Sequence, residues 1–212
     1  MKDKMMWKNY FRNRNVDPLS YMDYVIPAYL EKCLPDQNCS ILDIGCGFGQ
    51  MLLGLQKKGF RRIKGLDINE EAVSFCKAKG VDVELIEDIE SFTADSIKEK
   101  FDFIIMSHVL EHIPKVDIIS TLSKIRRNLL ADNGRMFIAV PNAQSNTGCY
   151  WAYEDFTHST LFTAGSLVFV AKSSGFQNII FLDPAGIDDL QPITKLLKFT
   201  LLTFYRLNFI FW

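Results

Sequence analysis

From residue 40 to residue 182, short apolar runs alternate with stretches whose apolar residues recur every three or four positions. That pattern predicts parallel strands joined by crossover helices. Strands are expected at 40–44, 62–66, 81–86, 101–106, 135–140 and 178–182, and helices at 50–58, 69–79, 117–130 and 163–174. Asn69 is placed to cap the second helix and Gly175 to close the fourth in a C′ position. Ile118, Ile119, Leu122, Ile125, Leu129 and Leu130 give the third helix its apolar face. Asn133-Gly134 turns the chain into the fifth strand, which stops at Pro141. Residues 1–35 form an aromatic-rich cap segment, and 142–160 a polar, aromatic insertion after the fifth strand. Open α/β sheets bind ligands beyond the carboxyl ends of their strands, so both segments are expected to cover a site.

The final stretch, 196–212, is strongly apolar, interrupted by Lys198 and Arg206. It is shorter than the ~20 apolar residues of a typical membrane-spanning helix. Three placements stay open: a buried last strand, a helix packed on its own domain or a partner subunit, or a segment lying on a membrane with its cations at the surface. Burial in protein is expected, because so many exposed aromatics would make an aggregation-prone patch.

At 212 residues the chain suits a single domain, 1–212, large enough to bury about 70% of its unfolded surface. Its 24 basic and 25 acidic residues give no nucleic-acid signature. Five cysteines, at 33, 39, 46, 76 and 149, include no C-x-x-C pair, which supports neither a zinc nor a disulfide framework. Scattered thiols and an N-terminus without a signal-peptide pattern lead to a cytoplasmic expectation.

The strongest chemical signal is Asp43-Ile44-Gly45-Cys46-Gly47-Phe48-Gly49, between the first strand and the first helix. Such glycines allow a tight turn and close backbone approach to a ligand. A dinucleotide fingerprint needs G-x-G-x-x-G; here the third glycine comes one residue early and Gln50 fills its slot. No Gly-Lys-Ser/Thr follows, so it is not a Walker loop either. Asp43 inside the strand suits a cationic ligand better than a pyrophosphate. Asp67 ends the second strand, where an acid accepts bonds from a ribose diol. Asp88 follows the third, placed to accept from an adenine amino group.

Asp43-x-Gly45-x-Gly47-x-Gly49, Asp67 and Asp88 resemble the first three motifs of class I S-adenosylmethionine (SAM)-dependent methyltransferases, over roughly 38–182. The resemblance implies a Rossmann-like α/β fold: a seven-stranded, mostly parallel sheet with an antiparallel last strand and helices on both faces. It implies SAM as cofactor, with Gly45, Gly47 and Gly49 facing its methionine part, Asp67 its ribose, and Asp88 and Ile68 its adenine. The stretch 101–114, with Val109-Leu110-Glu111-His112, resembles the family's fourth motif in its small-molecule branch, where Ser107 at the strand end borders SAM and acceptor. Tyr153-Glu154-Asp155-Phe156-Thr157-His158, followed by Phe162-Thr163, resembles a branch linked to bacterial surface-glycan assembly, as does Pro141-Asn142.

These motifs point to direct in-line methylation of a small-molecule or sugar hydroxyl. His158 is favoured as the assisting base, ahead of His108. Tyr10, Phe11 and Phe48 are candidate aromatics for the sulfonium. His112 is expected to be structural, bonded to nearby backbone. His108 and His112 are four apart, but they start at a strand end and lack an H-E-x-x-H context, so no metal is expected. Asp155 is expected either to brace His158 or to touch the acceptor, and Thr163 to cap a helix. A non-catalytic SAM-binding or partner module and, more distantly, an NAD-dependent oxidoreductase are the alternatives. The apolar C-terminus offers a possible peripheral membrane or homodimer contact.

Overall fold

All four residues of Ile41–Ile44 are buried, as a strand covered on both faces requires. The computed structural model describes residues 4–89, 99–144, 150, 153–182 and 190–210. Its strands are β1 (Ile41–Ile44), β2 (Ile63–Asp67), β3 (Val83–Leu85), β4 (Phe101–Ser107) and β5 (Leu130–Ala139). They form one sheet in the order β3-β2-β1-β4-β5, and every pair is parallel. The helices are α1 (Lys4–Lys8), α2 (Tyr10–Asn13), α3 (Ala28–Glu31), α4 (Gln50–Lys57), α5 (Glu70–Ala78), α6 (Ile118–Asn128), α7 (Ala164–Ser173) and α8 (Pro192–Ile210).

Strand periodicity sends alternate side chains to opposite faces. Leu42, Ile44, Leu66, Ile104 and Met106 pack in one cluster with Ile118, Leu122 and Ile125 of α6. On the other face, a Cβ at Gly65 would come within 2.6 Å of Leu52 of α4, so β2 keeps a glycine where that helix presses on it. Helices therefore cover both faces, as right-handed crossovers in this strand order demand. The reversal of strand order falls between β1 and β4, the switch point where such sheets bind ligands.

The predicted caps form. Asn69 accepts from the amide of Ala72, Thr163 and Ser166 make a reciprocal capping box on α7, and Gly175 takes φ 87° behind that helix. Three expectations change. Pairing of β5 begins at Leu130, so Asn133-Gly134 lies in an irregularity inside the strand rather than ahead of it. The run 178–182 is not a strand, because Asn178 adopts a left-handed φ of 54° that breaks extension at its first residue. The C-terminal stretch forms α8 rather than an antiparallel last strand; its apolar residues come in adjacent pairs such as Leu196-Leu197 and Leu201-Leu202, at helical spacing. Five strands, not seven, are present among the described residues.

The chain divides into two compact units. One comprises Met1–Tyr24 and Pro35–Ile179 and carries the sheet; the other comprises Val25–Leu34 and Ile180–Trp212. In the second, α8 exposes Ile193, Leu196, Leu197, Phe199 and Leu201, contrary to the expected burial of this segment. Side chains from 204 onward lie outside the described residues. No described helix is long and apolar enough to cross a membrane.

Candidate active site

Gly45, Gly47 and Gly49 all hold positive φ, at 73°, 53° and 77°, a backbone region strained for any other residue here. Gly45 is the most constrained: a Cβ there would sit 2.2 Å from Cγ2 of Val109. The turn is braced from β2. Asp67 accepts the amide of Gly47 through Oδ2 at 2.7 Å and that of Asn69 through Oδ1 at 2.8 Å. Each carboxylate oxygen has two lone pairs, so acceptor capacity remains for a ligand diol.

Asp43 and Asp67 lie on the same sheet face, since Asp43 is paired with Gly65, two residues before Asp67. Both are buried. Burial, and then the neighbouring charge of Asp67, push the Asp43 carboxyl up to about 8. Burial also raises Asp67, opposed by the amides of Asn69, Gly47 and Ile68. Two buried acids with no basic side chain paired to either among the described residues make a site that favours positive charge.

The N-terminal segment lies against this turn. The Phe11 ring lies tilted against Phe48 with centroids 4.6 Å apart, and its Cζ lies 3.4 Å from where a Cβ on Gly47 would be. Asn69 Nδ2 donates to the carbonyl of Trp7 at 2.8 Å. Tyr10 then donates from its hydroxyl to Asp155 Oδ2 at 2.6 Å, and Arg14 pairs with both Asp155 and Glu154. One short stretch thus ties the glycine turn to the segment after β5.

That segment converges with the turn after β4 on Glu111. Glu111 is 1% exposed, and its carbonyl accepts the amides of Ser159 and Thr160. Its Oε1 lies 3.3 Å from His108 Nδ1 and 3.8 Å from His158 Nε2. A carboxylate only accepts, so the His108 Nδ1 facing it is a donor, and in the neutral ring the lone pair is on Nε2. The His108 side chain is 65% exposed and that of His158 only 8%. His112 is bonded to the segment after β5: its Nδ1 meets the hydroxyl of Thr157 at 2.9 Å, and a hydrogen bond with the Thr157 backbone accompanies it, as expected of a structural histidine. Thr157 in turn donates to Asp155 Oδ1 at 2.6 Å, so it must accept from His112, whose proton is thereby assigned to Nδ1. Burial lowers the His112 pKa, partly opposed by Glu111 and Asp155. Burial alone would raise Asp155; bonds from the Thr157 and Tyr10 side chains, the Thr157 amide and the Arg14 charge outweigh it and hold the carboxyl down to about 2. Burial, then the bond to Asp155, pushes the Tyr10 phenol up.

All three histidines therefore come together, although sequence spacing linked only His108 and His112. Asp155 braces His158 only at 3.9 Å and is held mainly by Tyr10, Arg14 and Thr157. Arg14, Thr157 and the central place of Glu111 were not foreseen. The Asp155-x-Thr157 spacing carried a signal for one of them, since Thr157 donates its amide back to Asp155 at 2.9 Å, an Asx-type turn. Asp88 is half-buried beyond β3, Ile68 packs partly against the core, and Ser107 ends β4 opposite Ala139.

An open parallel sheet with a glycine turn after its first strand and a buried acid ending its second defines a Rossmann-like, nucleotide-cofactor class of domain. Comparison with known proteins narrows that class. A family model described as "Methyltransferase domain" matches residues 19–179, and the chain belongs to that family. It is 30% identical over 132 residues to a ubiquinone biosynthesis O-methyltransferase of Bartonella tribocorum, covering 60% of this chain and 47% of that protein. The chain thus spans about half the length of that relative. It is 26% identical over 185 residues to the ubiquinone/menaquinone biosynthesis C-methyltransferase UbiE of Rickettsia bellii, covering 72% of this chain and 74% of that one. Among solved structures, a SAM-dependent methyltransferase from Archaeoglobus fulgidus has the same fold, with a TM-score of 0.64, 21% identity, and 92% and 89% of the two chains covered. So has a magnesium protoporphyrin IX methyltransferase from Synechocystis PCC 6803 with bound SAH, at a TM-score of 0.59 and 15% identity, over 84% and 91%.

Proposed function

We propose that this chain is a SAM-dependent methyltransferase acting on a hydroxyl group of a small molecule. The observation that carries this is the pair of buried acids, Asp43 and Asp67, facing a glycine turn with no basic side chain among the described residues to balance them. SAM fits that charge and supplies, when bound, a methyl group on a positively charged sulfur. Asp43 compensates the ligand's charge and Asp67 accepts from its ribose. Asp88 and Ile68 receive the adenine, and Ser107 borders the cofactor at the switch point. The chain's main contribution is to hold acceptor and cofactor in line and exclude water, which can supply about 7–11 kcal/mol.

For the acceptor's proton, exposure reverses the order of candidates. His108 stands at the exposed end of β4, its Nδ1 against Glu111 and its Nε2 lone pair available. It takes the proton at Nε2, with Glu111 orienting the ring, while His158 is too enclosed to meet a bulky acceptor. The acceptor is a sugar hydroxyl by the resemblance of 153–163, or a ring hydroxyl of quinone-precursor type by the names of the curated relatives. Exposed apolar side chains on α8, with Lys195, Lys198 and Arg206 and no acidic residue in the helix, support peripheral contact with an anionic lipid surface. Cys39, Cys46 and Cys76 stand outside any disulfide, in keeping with a cytoplasmic protein.

Calorimetric titration with SAM, SAH and NAD, followed by a methyl-transfer assay over sugars and phenols, tests the proposal. SAM binding with transfer to one acceptor class is the expected outcome. Binding without transfer to any acceptor would favour a non-catalytic module, and preference for NAD an oxidoreductase.

A further inference from the structure

We infer that Glu111, His112 and His158 form a binding site for a first-row transition cation of the Zn²⁺, Co²⁺ or Fe²⁺ type. Each offers one ligand atom, and these atoms lie within 4.8 Å of one another. Glu111 and His112 come from the turn after β4. His158 comes from the segment after β5, pinned to that turn where Ser159 and Thr160 donate to the Glu111 carbonyl. The site is built from two parts of the chain, 47 residues apart at its widest, so only the fold brings its acid and two imidazoles together.

Glu111 supplies the independent sign of a cation. Its Oε1 is turned to His108 and His158, while Oε2 is fully buried and has no hydrogen-bond partner among the described residues. A buried carboxylate oxygen left in that state is costly, and metal coordination is one of the few ways to compensate it. The second layer is also that of a metal site. His112 donates from Nδ1 to Thr157, which donates to Asp155, which is held by Tyr10 and Arg14. Such a relay to a carboxylate fixes the tautomer of a ligating histidine and leaves Nε2 for the metal.

Two imidazoles and one carboxylate select zinc, cobalt or iron over magnesium or calcium, which prefer all-oxygen sets. Three protein ligands leave a coordination position open, as in catalytic rather than structural sites. Bonds of about 2.0–2.2 Å need the ligand atoms closer together than 4.8 Å, so side-chain rotation accompanies binding. The inference concerns cation binding itself and does not depend on the reaction proposed above.

Titration of Co²⁺ into the metal-free full chain tests it by visible absorption. A d–d band saturating at one equivalent is expected, weakened on the order of 100-fold in affinity by Glu111→Gln or His158→Ala, and about 10–100-fold by Thr157→Val. Circular dichroism of the metal-free variants checks folding, with His158→Gln replacing His158→Ala if that variant unfolds. Absence of a saturable band, a band untouched by these substitutions, or a near-ultraviolet sulfur-to-cobalt band assigning the metal to the cysteines would each overturn the inference. SAM titration of the same variants reports the cofactor site separately, so failure of one proposal is not mistaken for failure of the other.

Discussion

The carboxylate of Asp67 accepts the amide hydrogen of Gly47 at 2.7 Å, so the acid at the end of one strand sets the shape of the turn after another. The same side chain proposed to meet the ribose also braces the loop proposed to meet the methionine part. Asp67→Ala should therefore weaken SAM binding by about 1–3 kcal/mol, the range for losing a charged hydrogen-bond partner. Unchanged affinity by calorimetry would remove Asp67 from the cofactor site.

Asp43 is expected to make cofactor binding pH-dependent. Its carboxyl sits at about 8 in the free protein, so below that it is largely protonated. A cationic ligand favours the charged form and lowers that value, so binding expels a proton. SAM affinity should rise with pH from about 6 toward 8, by up to roughly tenfold per pH unit, and then level off. In the free protein the sign is opposite for stability: a raised carboxyl stabilises fully below about 3.9 and loses that contribution as pH rises through about 8. Asp43→Asn should flatten both profiles. Proton release measured in buffers of different ionisation enthalpy checks the first, and thermal melts from pH 5 to about 9 check the second.

His108→Ala should reduce turnover by about 10²-fold or more while SAM affinity holds, as loss of a general base requires. Glu111→Gln, which keeps the shape but weakens the orienting bond, should lower turnover less. Full activity in His108→Ala returns the role to His158 or to a bound cation.

Asp155 ties the N-terminal segment to the site and is held down to about 2. Its contribution to stability is present above about 4, the unfolded value, and is lost as pH falls through about 2. Asp155→Ala should cost about 1.5–3 kcal/mol at neutral pH and remove that acid-sensitive step. Urea melts at pH 7 and about 3 would show it; equal melts for the two proteins at neutral pH would mean that the Tyr10 and Arg14 contacts contribute nothing.

If α8 lies on lipid, Leu197→Glu with Phe199→Glu should abolish sedimentation with anionic vesicles and leave the fold intact. Should the intact chain ignore vesicles but run as a dimer that these substitutions dissociate, a second copy covers α8 instead.

Local chemistry made most of the sheet and its caps legible. Asn69, Thr163 and Gly175 perform the predicted tasks because each acts on backbone three or fewer residues away. Glycine and acid positions at strand ends were equally local. Two strands failed where the decision was not local: Asn178 tolerates a left-handed backbone that no apolar count reveals, and 196–212 has a composition that serves strand and helix alike. The site's long-range bonds were invisible for the same reason. Tyr10 and Asp155 are 145 residues apart, and Thr157 and His112 are 45 apart, so only the fold brings them together.

The 2.2 Å that would separate a Cβ at position 45 from Val109 has a consequence for how this protein can diversify. Position 45 lies in the proposed cofactor loop and position 109 opens the proposed acceptor turn, so the two halves share a boundary with no slack. Trimming Val109 would clear the space, yet a side chain at position 45 would still face φ 73°. Altered acceptor preference must therefore be sought in substitutions beyond that boundary, in the turn at His108 and the segment 153–160, and libraries that randomise 45 and 109 together will return mostly inactive chains.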